Sequence, residues 1–119
     1  MTIFRSVSKS IVLAFFALSF APVISAQTPA KVISIVAKKF SYFPSEVRLT
    51  KGETVTLLLK TEDVAHGLKS KDLQLDAKIV PGEETQVTVT PETAGQFTAF
   101  CSTFCGSGHF TMKMTFIVE

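Results

Sequence analysis

From Lys31 onward, apolar and polar residues alternate in short runs separated by turn residues. Lys31 to Ala37 sets Val32, Ser34 and Val36 on one side and Ile33, Ile35 and Ala37 on the other. A period of two is the mark of a strand. Phe40-Ser41-Tyr42-Phe43-Pro44 is aromatic and ends in a proline suited to a turn or a sheet edge. Glu46 to Thr50 alternates again, and Lys51-Gly52-Glu53 reads as a turn. Thr54 to Lys60 is rich in β-branched residues and leucine and predicts a central strand. Glu62 to Leu68 reads as a loop or strand end, so His66 is expected at the end of that strand. Lys69 to Lys78 is polar and weakly patterned; it predicts no element, though Leu73 and Leu75 are candidates for the core.

Pro81-Gly82 and Pro91 to Gly95 are turn signals on either side of the half-buried strand Thr85 to Thr90. Gln96 to Cys101 alternates, with Phe97, Ala99 and Cys101 on one face. Lys113 to Glu119 closes the chain as a strand, with Met114, Phe116 and Val118 on its apolar face. Beyond residue 30 there is no amphipathic helix, no repeat and no linker. Many short strands at regular turn spacing predict an all-β sandwich or barrel. The stretch between Cys101 and Met114 then becomes a loop at one end of a rigid scaffold.

The first 26 residues have a different pattern. Arg5 and Lys9 form a basic start, Ile11 to Ile24 is apolar except for Ser19 and Pro22, and Ser25-Ala26 offers small residues for cleavage. This is the pattern of a secretory signal, and the apolar run falls short of the roughly 20 residues that span a bilayer. The expected division is therefore a signal peptide over 1–26 and one domain over 27–119, placed in the periplasm or otherwise exported. Of the twelve Lys and Arg, all but Arg5 and Lys9 lie in that domain, where ten Asp and Glu balance them. A formally neutral domain gives no reason to expect a nucleic-acid partner.

The chemistry is concentrated in Cys101-Ser-Thr-Phe-Cys105-Gly-Ser-Gly-His109-Phe-Thr-Met112. Both cysteines, one of two histidines and one of three methionines fall in these residues; the second histidine, His66, is far upstream. In an oxidising compartment two cysteines are by default a disulfide. A Cys101–Cys105 bond would close a very short ring and stabilise little. With an imidazole and a thioether in the same loop, a metal site is the better reading. A closed zinc site of two Cys and two His is the alternative, but zinc pairs usually have two intervening residues rather than three, and thioether is a copper ligand. Copper is thus the expected metal. Gly106 and Gly108 let the loop turn tightly. Phe104 and Phe110 are candidates to cover the site and exclude water, or else ordinary packing.

Cys101-x3-Cys105-Gly-x2-His109-x2-Met112, with Asp63-Val-x-His66-Gly upstream, resembles the binuclear copper (CuA) domain of subunit II of haem-copper cytochrome oxidases. Phe40-x-Tyr-x-Pro44, Lys51-Gly52, Pro81-Gly82 and Gly95-Gln-Phe extend the similarity over the whole of 27–119, which looks closest to the ba-type oxidases. The resemblance implies a cupredoxin-like Greek-key β-sandwich. It implies two copper ions bridged by Cys101 and Cys105. His66 and Met112 would complete one copper, and His109 and the Thr103 backbone carbonyl the other. Many family members have Glu at the position of Thr103, a change the carbonyl role tolerates. Subunit II normally has a transmembrane hairpin before this domain; the signal-like segment here leads to the expectation of a stand-alone exported protein.

The expected function is one-electron transfer to or from a c-type cytochrome or terminal oxidase, without catalysis on a substrate. Two other roles suit the same residues. One is copper transport or storage, with a copper-acceptor protein as partner. The other is a mononuclear blue-copper carrier using His66, Cys105, His109 and Met112, which leaves Cys101 idle.

Overall fold

The computed structural model describes residues 19–26 and 30–119. The basic start and most of the apolar run of the expected leader lie outside the described residues. Residues 19–26 carry no regular element and are exposed. No helix among the described residues is long and apolar enough to cross a membrane.

Among the described residues there are nine strands: β1 Lys31–Lys38, β2 Ser41–Phe43, β3 Glu46–Leu49, β4 Val55–Thr61, β5 His66–Ser70, β6 Leu75–Ile79, β7 Thr85–Val89, β8 Gly95–Phe100 and β9 Lys113–Val118. They form two sheets, one ordered β2-β1-β4-β7 and the other β3-β9-β8-β5-β6. The expected all-β, cupredoxin-like sandwich is what forms. β1 runs parallel to β4 and β3 parallel to β9; the other strand pairs are antiparallel.

The alternation read from the sequence sets which side chains meet between the sheets. Ile35 and Ala37 of β1 and Leu57 and Leu59 of β4 are fully buried from one sheet; Leu68, Ile79, Ala99 and Phe116 are fully buried from the other. Their burial supplies the main driving force, about 1.5–3 kcal/mol for each large apolar side chain before entropy is counted. The strand expected to be central, β4, does lie inside its sheet, between β1 and β7. Pro44 falls where the chain leaves edge strand β2 for edge strand β3, so its missing N–H disturbs no ladder.

Two expectations are corrected. Lys69 to Lys78 is not irregular: most of it belongs to the β5–β6 hairpin, paired from His66↔Ile79 to Ser70↔Leu75. The outer face of β6 meets solvent, so Asp76 and Lys78 are exposed while Leu75, Ala77 and Ile79 face the core and are buried. Leu73, in the hairpin turn, and Leu75 do enter the core. His66 does not end the preceding strand; it opens β5, a strand of the opposite sheet.

This arrangement positions the ligand-rich loop. β8 and β9 pair from Gly95↔Val118 to Phe100↔Lys113, and the next step is a backbone hydrogen bond from Cys101 N–H to the Met112 carbonyl, 3.1 Å. Cys101 to Met112 is thus a closed loop standing on a β-ladder. The β4–β5 connection, which carries Asp63, reaches the same end of the sandwich.

Ser70 is fully buried on β5, and its hydroxyl has no hydrogen-bond partner among the described residues. An unsatisfied buried hydroxyl costs about 1–3 kcal/mol. Ser70→Ala should therefore raise stability by about 1 kcal/mol. Urea unfolding checks this: the midpoint moves up with an unchanged slope.

Candidate metal centre

The six sequence-predicted residues meet at one end of the sandwich. Cys101 and Cys105 are free thiols, each nearly buried, with sulfurs 3.6 Å apart. His66 Nδ1 lies 3.9 Å from Cys101 Sγ, and His109 Nδ1 lies 3.6 Å from Cys105 Sγ. Met112 Sδ is 3.8 Å from Cys105 Sγ. The Thr103 carbonyl oxygen is 3.0 Å from Cys101 Sγ. The donor atoms of His66, Cys101 and Cys105 all fall within 4.8 Å of one another.

Local structure explains how the loop collects these atoms. His109–Thr111 is a single 3-10 turn, and Met112 N–H closes it on the His109 carbonyl at 3.3 Å. Side chains three apart eclipse one another in that geometry. The spacing of three therefore sends the His109 imidazole and the Met112 thioether to the same side, toward Cys105. Met112 is buried and His109 is half-buried.

His66 is fixed from behind. Its Nε2 lies 2.8 Å from Asp63 Oδ1. An ionised carboxylate only accepts hydrogen bonds, so Nε2 carries the proton and Nδ1 turns its lone pair to the sulfurs. Asp63 also accepts from Lys39 N–H at 2.8 Å and from Val64 N–H at 2.7 Å. Burial opposes ionisation of Asp63, but the hydrogen bonds from Lys39, His66 and Val64 outweigh it. The carboxyl is accordingly held well below its usual range.

Gly67 brings the two halves together. Its N–H donates to Cys101 Sγ at 3.5 Å, and its carbonyl accepts from the buried Tyr42 hydroxyl. A Cβ on Gly67 would overlap Ser102 Oγ and lie 3.0 Å from the backbone nitrogens of Ser102 and Thr103. Only glycine admits the loop this close to β5. Burial first, then the Cys101 sulfur, pushes the Tyr42 hydroxyl far above its ordinary value. It stays a neutral donor beneath the site.

Phe104 and Phe110 do not cover the site. They are 73% and 90% exposed, and their rings flank the His109 imidazole at 5.5 and 5.0 Å between centroids. They form an apolar rim around the half-buried His109. The sequence alone assigns no role to Tyr42 or Asp63. The signals are present in it: a tyrosine alternating inward with its neighbours, and a carboxylate three residues before a histidine.

Two thiols, a thioether, two imidazoles and a carbonyl form a soft donor set, collected without a disulfide and mostly shielded from water. That set fits copper. A family model described as a cupredoxin-like domain matches residues 9–118. The chain belongs to this family. Cytochrome c oxidase subunit 2 of Thermus thermophilus is 26% identical to the cupredoxin over 87 residues, 73% of this chain and 64% of that protein. Nitrous-oxide reductase of Ralstonia nicotianae is 32% identical over 91 residues, 73% of this chain and 14% of the reductase. The cupredoxin thus spans less than two thirds of either relative. Among solved structures, the periplasmic domain of subunit II of cytochrome oxidase of Bradyrhizobium japonicum has a TM-score of 0.69 at 15% identity, covering 75% of this chain and 83% of that one. At that identity the likeness is one of fold.

Burial first, then the neighbouring Cys101 sulfur, pushes the Cys105 thiol from 9.0 up to about 11. Unfolded chain loses this proton near 9, whereas the metal-free folded protein keeps it until about 11. The folded state binds more protons in that window, so its stability falls as pH rises through it. Urea unfolding of the metal-free protein should show this alkaline loss, and Cys105→Ser should reduce its slope.

Proposed function

We propose that the protein is an exported one-electron carrier holding two copper ions in a CuA-like site. Cys101 and Cys105 would hold both ions through their thiolates, with His66 and Met112 as further donors to one and His109 and the Thr103 carbonyl as further donors to the other. The observation that carries this reading is the pair of free, buried sulfurs 3.6 Å apart, with a different imidazole against each. A mononuclear site would leave Cys101 without a role, although it is nearly buried and accepts the Gly67 N–H.

When bound, the copper pair would supply a one-electron couple shared between two metals. The chain's own part is to keep the donors still. Asp63 locks the His66 ring, Gly67 directs an N–H at the Cys101 sulfur, and the Cys101–Met112 backbone bond closes the loop. Fixed donors would keep reorganisation small, which suits electron transfer. His109 lies between exposed Phe104 and Phe110 and is the natural exit for an electron. The apolar rim suits close, dry contact with a redox partner such as a c-type cytochrome or terminal oxidase. The subunit 2 relative supports that class of partner, and the signal-like residues 1–26 with the periplasmic fold relative support export.

Copper loading with metal analysis and electron paramagnetic resonance tests the assignment. Two coppers per chain with an electron shared between them are expected. An unpaired electron confined to one copper overturns the binuclear reading. Cys101→Ser should lower the stoichiometry to one and change the colour; an unchanged spectrum removes Cys101 from the site. The competing role, copper delivery to an acceptor protein, predicts fast metal release to a chelator and negligible electron exchange with a cytochrome.

A further inference from the structure

The β1–β2 turn touches both halves of the donor set through neighbouring residues. The Lys39 N–H donates to Asp63 Oδ2, and the other oxygen of that carboxylate holds His66 Nε2. The ring of Phe40 lies on the two glycines of the ligand loop. A Cβ on Gly108 would overlap Phe40 Cγ and Cδ2, and one on Gly106 would come 3.1 Å from Cε1 and Cζ. Gly106 is next after Cys105, and Gly108 precedes His109. The ring therefore lies against both ends of the three-residue segment that joins these two donors.

We infer that Phe40 is a positioning residue for the ligand loop, and that the Lys39–Phe40 turn sets the spacing between His66 on β5 and the Cys105–His109 segment. The inference rests on the copper reading for its purpose but not for its geometry. β5 and β8 pair directly only at Lys69↔Phe100, so little backbone bonding ties the loop to His66 beyond that point. The ring and the carboxylate supply what the ladder does not. Gly106 and Gly108 allow the ring to lie flush: Gly106 adopts φ +135, and Gly108, at φ −92, is free of backbone strain and lacks only the room for a side chain.

The test uses the metal-free protein, so it stays readable even if copper does not bind as proposed. The rate at which Cys105 reacts with iodoacetamide reports opening of the loop, and urea unfolding measured in parallel reports global stability. Phe40→Ala should speed the reaction about tenfold more than the change in global unfolding accounts for. Phe40→Leu should recover part of the protection, and Phe43→Ala, at an exposed position on β2, should leave it unchanged. Gly108→Ala has a separate signature: it should open the loop when Phe40 is present and add little in the Phe40→Ala background, because no ring remains to be displaced. Thiol rates that track global unfolding alone, or additive effects of the two substitutions, overturn the inference. In the copper-loaded protein Phe40→Ala should also shift the thiolate-to-copper absorption band. A wild-type protein that takes up no copper while the thiol results hold would refute the copper reading and leave the positioning role standing.

Discussion

The hydrogen bond between Cys101 N–H and the Met112 carbonyl is the constraint on which the centre depends. It extends the β8–β9 ladder by one step and makes the first and last donors of the loop neighbours in space. Every other donor of the loop then has to fall within a short closed path. Cys105 and His109 lie inside that path, and the 3-10 turn aims His109 and Met112 in one direction. The sandwich contributes a fixed base: Met114, Phe116 and Val118 on β9 are buried and cannot slide without disrupting the core.

Around this base, the buried His66 ring and Tyr42 hydroxyl each have a partner, and Asp63, on the exposed β4–β5 connection, anchors the outer end of the network. Asp63 accepts from Lys39 N–H, Val64 N–H and His66, His66 is held between carboxylate and thiol, and Tyr42 donates to Gly67. In a medium of low dielectric such a network is stiff, because breaking one link strands a buried polar group. The stiffness is useful to a redox centre, whose donors should move little when the charge changes. Ser70, farther along the same strand as His66, is the contrasting case of a buried polar atom with nothing to bind.

Much of this is legible in the sequence. Strands β1, β4, β7, β8 and β9 can be read from alternation and turn residues, and the six candidate ligands from residue type, spacing and the family resemblance. The β5–β6 hairpin is not legible, because Lys69, Lys71, Asp72, Asp76 and Lys78 make it look like a surface loop. The outer face of the sheet is solvated and can be polar; the buried face shows only as Leu68 and Ser70 of β5 and Leu75, Ala77 and Ile79 of β6, at every second position of each strand. His66 is misplaced by the sequence for the same reason. Phe104 and Phe110 are ambiguous because apolarity alone does not tell a lid from a rim. The Phe40–glycine contact joins residues more than sixty positions apart, and no local pattern reports it.

The 3-10 turn over His109–Thr111 makes the loop a counting device. Each residue added or removed there rotates the downstream side chains by roughly 120°. A length change of one would swing the thioether away from the imidazole, even if every donor residue were retained. Substitution can therefore retune this centre gradually, but a change in loop length exchanges it for a different one in a single step. A redesign that moves the centre to another sandwich has to carry the segment from Cys101 to Met112 whole, with its spacing unaltered.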